Sequence, residues 1–243
     1  MTSQSSINID VICEPLSKRP VGDIQQILRI LGDAFHDNVV FTTLVPNVST
    51  RRSFLSFLFA RRMELIGEAA HAILDRGTGE VIGHIGFAPP KPDQQDGVHT
   101  SFCTMMLMGL WRVPFMIGWE MTVKFTGFVG CIDRATSEVI AKYPDLQGGF
   151  WSLSAAAVDN KAQGQGFGGA AIRQLLERAD RDGRPTVLAT QEMRTVRLYE
   201  RIGFVVLDRR SVKVGDVDLG FETWVMGRWL RGEVPHQVLA AQG

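Results

Sequence analysis

The chain has 243 residues, 45% of them hydrophobic and 21% charged, and its 26 basic residues balance 26 acidic ones. That is the profile of a soluble globule with a full core, and at roughly 150 residues per domain it holds one large domain or two small ones. Neutrality argues against a general nucleic-acid binder, which needs a basic excess or stripe to neutralise phosphates. Met1 to Ile12 lacks a basic cluster followed by an apolar run, so no secretory signal is evident. Cys13, Cys103 and Cys131 are odd in number, widely spaced and without metal-ligand spacing. They read as buried thiols of a reducing, cytoplasmic compartment, with no disulfide frame and no metal site.

An extended segment over 7–13 opens the chain. Ile24, Ile27, Leu28, Leu31 and Phe35 then recur at helical spacing, which predicts a helix over 23–35 with Asp23 as N-cap. Phe54, Leu55, Leu58, Phe59, Met63 and Ile66 repeat the spacing over 54–66. Strands are predicted at 70–75 and 81–88 around Arg76-Gly77-Thr78-Gly79, and Pro89-Pro90 ends the second. Residues 91–147 read as an inserted helical region with a methionine-rich stretch over 105–121 and an amphipathic tail over 132–140. Arg112, Pro114 and Glu120 interrupt that stretch, whereas a membrane span needs about 20 nearly unbroken apolar residues. After Gly148-Gly149 the pattern changes to a strand over 150–158 and a helix over 167–182 closed by Gly183. A strand over 186–190, a helix over 195–202 and a hairpin of 204–214 with 219–226 complete it. With no repeat or linker, the economical reading is one α/β domain over 1–243, carrying the insertion and a tail over 229–243.

The most informative string is Gln163-Gly164-Gln165-Gly166-Phe167-Gly168-Gly169, which follows a strand and opens a helix. The free N–H groups of a helix's first turn and the positive end of its dipole make a site for phosphate oxygens. No Lys-Ser or Lys-Thr follows, so it is not a Walker A loop. An empty strand-to-helix turn is the bland alternative, yet four glycines in six residues cost considerable chain entropy. Gly164, Gly166 and Gly169 also satisfy G-x-G-x-x-G, with Glu192 near the spacing of a ribose-binding acid. Against a dinucleotide site, five residues separate Val158 from the first glycine, and too little chain remains for a doubly wound sheet.

Gln163-x-x-Gly166-x-Gly168 resembles the Q/R-x-x-G-x-G/A signature of the GNAT superfamily of acyl-CoA-dependent N-acyltransferases. Trp151 to Asp159 resembles that family's splayed fourth strand, and Leu198-Tyr199-Glu200-Arg201-Ile202-Gly203-Phe204 is similar to its L-Y-E-x-x-G-F segment. All three stand in the family's order over about 150–227. Ala34 to Phe41, and the strand ending Ala88-Pro89-Pro90, look like the branch containing puromycin acetyltransferase, which also carries a helical insertion. The resemblance implies an α+β fold: a mixed, mostly antiparallel central sheet flanked by helices, with the insertion before the fourth strand. It further implies that coenzyme A lays its pyrophosphate on the amides of Gly164 to Gly169. The residues so implied to bind it are Ala157, Val158, Gln163, Gly164, Gln165, Gly166, Phe167, Gly168 and Gly169.

In such a site the pantetheine arm pairs with the strand end at Ala157 and Val158, and the Val158 N–H faces the thioester carbonyl, where it can stabilise an oxyanion. Tyr199 stands where the family places the tyrosine that gives a proton to the departing thiolate; otherwise it is a core residue beside Val196 and Ile202. Asp37, Glu120, Glu138, His36 and His84 are candidate bases on the acceptor side, and the sequence singles out none. The family often has asparagine where this chain has Thr195, and Arg194 and Arg197 can reach coenzyme phosphates or stand solvated. Met105, Met106, Met108, Met116 and Met121, with Trp111, Phe115 and Trp119, either wall a bulky, largely apolar acceptor or bury an extra helix pair. The expected activity is acetyl transfer from acetyl-CoA to the amine of a small molecule, by direct attack in a ternary complex without metal. Transfer to a hydroxyl, use of a longer acyl chain, and a non-catalytic CoA-binding module are the alternatives.

Overall fold

Seven extended segments form one sheet in the order β1-β2-β3-β4-β5-β7-β6. They are β1 (Val11–Pro15), β2 (Ala70–Asp75), β3 (Val81–Ala88), β4 (Trp151–Val158), β5 (Thr186–Thr190), β6 (Val205–Val214) and β7 (Val217–Arg228). The computed structural model describes residues 10–90 and 109–230. Every neighbouring pair is antiparallel except β4 with β5. This is the mixed, mostly antiparallel sheet that the sequence implies.

Alternation along the strands gives the sheet two apolar faces. Ala70, Ala72, Leu74 and Ala157 meet Ile27, Ile30, Leu31, Phe54 and Leu55 on the first face. Those partners belong to helices α1 (Val21–His36) and α3 (Val48–Ile66), with the short α2 (Val39–Leu44) between them. Ile73, Ile85, Phe87, Trp151 and Leu153 meet Ala171, Ile172, Leu175, Leu176 and Ala179 of α7 (Phe167–Arg181) on the second. A smaller third cluster joins Val187 and Val225 to Tyr143 and Trp229. Trp229 is thus part of the core.

The helix starts depart from expectation because polar caps lie outside the apolar periodicity. α1 begins at Val21 with Pro20 as N-cap, whereas Asp23 sits in the first turn and accepts from Arg19 Nε at 2.7 Å. A proline's fixed φ suits a helix entrance, which leaves Asp23 no capping role. α3 starts at Val48, six residues before the predicted start, because Asn47 Oδ1 accepts from the Thr50 N–H at 2.9 Å. The unforeseen α2 is capped likewise by Asn38, whose Oδ1 accepts from the Val40 N–H at 3.0 Å.

Residues 91–108, with Cys103 and Met105, Met106 and Met108, lie outside the described residues. The described part of the insertion is helical: α4 (Val113–Ile117), α5 (Trp119–Lys142) and α6 (Pro144–Gln147). α5 packs on β6 and β7 at the sheet's far edge. Among the described residues no helix is long and apolar enough to cross a membrane. Cys13 is buried, with its thiol pushed up to about 12 by burial, whereas Cys131 is only half-buried.

Candidate functional site

β4 and β5 are hydrogen-bonded neighbours for two residue pairs only, Trp151 with Thr186 and Ser152 with Val187. β5 then follows β7 as far as Thr190 opposite Trp224, while β4 follows β3 as far as Val158 opposite Gly83. The two parallel strands therefore part, and Leu153 to Val158 present an open edge inside the sheet.

A bulge shapes that edge. His84 pairs with Ala157 and Gly86 with Ser154, so β4 spends one residue more than β3 between those pairs. Ala155 takes up the excess at φ +48°, the one non-glycine residue with positive φ among those described. Past the bulge, Ala156 and Val158 face the α7 layer, and Ala155 and Ala157 face the α1–α3 layer. The Asp159 N–H donates to Ile82 O at 2.8 Å. Because antiparallel partners alternate, Val158, one residue earlier, turns its N–H and C=O away from β3 and into the gap. The Val158 carbonyl accepts from Gln163 Nε2 at 3.0 Å, which leaves its N–H exposed to the opening.

The glycine loop stands directly beyond. Gln163 braces it against β4 and also donates to Asn160 Oδ1 at 2.8 Å, while Gln165 donates to Lys161 O at 3.1 Å. Gly164 at φ +79° and Gly166 at φ +89° occupy left-handed backbone that a side chain resists. Gly166 caps α7 without a capping side chain, and the first intrahelical bond runs from Ala170 N to Gly166 O. The amides of Phe167, Gly168 and Gly169 therefore have no helical acceptor and point outward with the dipole's positive end. A Cβ on Gly168 would stand 3.3 Å from Val158 Cγ2, so the missing side chain lets the helix start press against the strand end.

Tyr199 lies on α8 (Met193–Glu200) and is buried in the same apolar cluster as Val158 and Phe167, edge-on to the Phe204 ring at 5.4 Å. Burial raises its phenol well above the ordinary range and so keeps the hydroxyl protonated. Of the sequence-expected residues, Val158, Phe167 and Tyr199 share one apolar cluster on the α7 face, while the Ala157 side chain turns to the other. Thr195 is half-buried and donates its N–H to Glu192 O at 2.9 Å, while Arg194 and Arg197 are exposed.

The candidate bases do not converge. Glu120 pairs with Lys124 at 2.7 Å on the outside of α5, and Glu138 pairs with Arg210 of β6 at 2.7 Å. Asp37 is 89% exposed, with its Oδ1 2.7 Å from His36 Nδ1. His84 is buried opposite Ala157, its Nδ1 without a partner among the described residues, and burial followed by the Arg62 charge holds its pKa down to about 3. Trp111, Phe115 and Trp119 are exposed, and Trp119 lines a surface cavity with Val123, Val214 and Val217. Sequence reasoning missed Asn38 as a site residue: its Nδ2 donates to Glu192 Oε1 at 2.8 Å, linking the start of α2 to the residue before α8. A polar cap before Val39-Val40-Phe41 was the available signal.

The family model of the Acetyltransferase (GNAT) family matches residues 41–204, well over half of the chain, and the protein belongs to that family. The chain is similar in fold to a Corynebacterium glutamicum structure described as histone acetyltransferase HPA2 and related acetyltransferase. That pair has 21% identity and a TM-score of 0.59, with 92% of this chain and 99% of the other covered. It is also similar to a polyamine N-acetyltransferase of Drosophila melanogaster, with 13% identity, TM-score 0.58, and 91% and 100% coverage. An agmatine N-acetyltransferase matches with 12% identity, TM-score 0.54, and the same 91% and 100% coverage.

Proposed function

We propose that the protein transfers an acetyl group from acetyl-CoA to the amine of a small molecule, by direct attack in a ternary complex. One observation carries this reading: β4 leaves β5 after two residue pairs, beside a helix start whose first amides have no acceptor within the helix. The residues present fit the carrier. The amides of Phe167, Gly168 and Gly169, reached past the left-handed Gly164 and Gly166, suit a diphosphate. The open β4 edge at Ala157 and Val158 suits the amide-bearing pantetheine arm, which pairs as an added strand would.

When bound, the carrier supplies the thioester that the amine attacks; a C–N bond forms, the C–S bond breaks, the nitrogen loses a proton and the sulfur gains one. The Val158 N–H faces the gap and donates to the carbonyl oxygen as charge gathers there. The Tyr199 hydroxyl, held neutral by burial, donates to the departing sulfur. Burial also makes Tyr199 a weaker acid, so its proton crosses late, once the sulfur carries nearly full charge.

Three apolar clusters on one sheet support reading the chain as one acetyltransferase domain. The insertion before β4 fits the puromycin acetyltransferase-like branch, and the free thiols of Cys13 and Cys131 fit a cytoplasmic setting. Polyamine and agmatine acetyltransferases among the fold neighbours favour a small amine acceptor.

The test is a thermal-shift titration with acetyl-CoA followed by thiol release against panels of amines, alcohols and longer acyl-CoA donors. Stabilisation by acetyl-CoA and thiol release with amines are expected. Stabilisation without release in any panel would instead make the protein a carrier-binding module.

A further inference from the structure

Glu192 leaves β5 two residues past Thr190, at the mouth of the gap. Its backbone carbonyl starts α8 by accepting the amides of Thr195 and Val196 at 2.9 and 3.0 Å. Its side chain meets Asn38, 154 positions away, through one bond of 2.8 Å. Asn38 belongs to the helical layer of the first sheet face, whereas the glycine loop and Tyr199 lie on the second. The bond therefore spans from the first layer to the strand edge at the one place where the sheet is open.

Asn38 holds a fixed orientation, because its Oδ1 is occupied by the Val40 N–H and only N–H donors face Glu192. Among the described residues no Lys, Arg or His pairs with this carboxylate. Glu120, Glu138 and Glu222 differ, for they carry Lys124, Arg210 and Arg209 respectively. Of the four arginines on α3, the one that approaches Asp37 is committed elsewhere, since Arg51 is buried and donates to the carbonyls of Val45 and Pro46 at 2.9 and 3.2 Å. Its closest carboxylate is Asp37, at 4.0 Å. The rim thus holds two carboxylates, Asp37 and Glu192, and a half-buried one among them has a single neutral donor. Such a group favours a cation with several N–H donors.

On the basis of the acetyl transfer proposed above, we infer that the Glu192 carboxylate binds the ammonium group of the acceptor, with Asn38 as its positioning residue. The acceptor class is then a molecule with a protonated primary amine, entering from the α1–α3 face while the carrier lies on the α7 face; the bound ammonium gives one proton to water before the neutral nitrogen attacks, and the proton it loses on acylation replaces the one that Tyr199 gives to the sulfur. The gap between β4 and β5 is where the two meet. Asp37 adds long-range attraction at the rim without touching the nitrogen.

The experiment measures binding of phenethylamine and agmatine, with phenethyl alcohol as the neutral control, by calorimetry on protein saturated with CoA. Glu192→Gln is expected to weaken both amines about tenfold or more, while CoA affinity stays within about twofold. Glu192→Asp retains part of the affinity, and Asn38→Ala raises the amine KM with little change in kcat. Unchanged amine binding by Glu192→Gln overturns the assignment. So does a loss of CoA affinity with amine binding intact, which would make Glu192 a carrier contact. Wild-type protein that binds CoA but neither amine also overturns it, whereas wild-type protein that fails to bind CoA overturns the acetyl-transfer reading itself.

Discussion

His84 makes the fold's stability depend on pH by an amount that can be worked out. The ring lies on β3 beneath the α1–α3 layer, buried, and its pKa is held at about 3 against an ordinary 6.5. Burial is the larger cause and the Arg62 charge the next. A depressed value means that the folded protein keeps the ring neutral while the unfolded chain takes up a proton below 6.5. Stability from this residue is therefore full above that value and falls as pH drops through the interval down to about 3. The slope is about 1.4 kcal/mol per pH unit, so moving from about pH 7.5 to about pH 5 removes about 2 kcal/mol. Urea unfolding followed by tryptophan fluorescence at both pH values, on wild-type protein and His84→Gln, measures it. Titrating groups away from this site are common to both proteins and cancel. The variant is expected to lose about 2 kcal/mol less than wild type over that range. Parallel losses, within about 0.5 kcal/mol of each other, refute the reasoning, and His84→Asn gives an independent second comparison.

Gly83→Ala would put a Cβ 2.5 Å from Ala157 O and 2.9 Å from Ile73 Cδ1, prising β3 from β4 beside the bulge. A loss of about 1–3 kcal/mol is expected in denaturant unfolding, whereas Gly22→Ala on α1, with nothing within 4 Å, should be neutral or slightly stabilising. Gly166→Asp should weaken acetyl-CoA at least about tenfold in calorimetry, because its carboxylate faces a diphosphate, and should also lower stability by about 1 kcal/mol, because Gly166 sits at φ +89°; unchanged affinity would move the carrier from this loop. Tyr199→Phe should lower kcat by about 10- to 100-fold with acetyl-CoA affinity unaltered, and equal turnover would leave the ring a packing residue only.

Much of this architecture is legible from residues alone. The strand and glycine loop were readable because apolar alternation and clustered glycine are local consequences of backbone geometry, and six of the seven strands lie within two residues of their predicted bounds; β1 starts four residues later than expected, with residues 1–9 outside the description. Helix starts were less readable, since Asn38 and Asn47 act through single hydrogen bonds that hydrophobic periodicity does not register. The bulge at Ala155 was hidden in a run of three alanines, whose uniform character conceals a change of face. The Asn38–Glu192 bond joins positions 154 apart, and only the tertiary fold brings such partners together. Glu192 did stand out in the sequence, but for a nucleotide ribose.

The extra residue in β4 also acts as a parity switch. Before it, odd-numbered side chains such as Trp151 and Leu153 face α7; after it, even-numbered Ala156 and Val158 do. Deleting one alanine there would restore a regular ladder and give a smoother, better-paired strand. Val158 would still fall opposite Gly83 with its amide away from β3, and what would be lost is the bend and added twist that a bulge gives its strand.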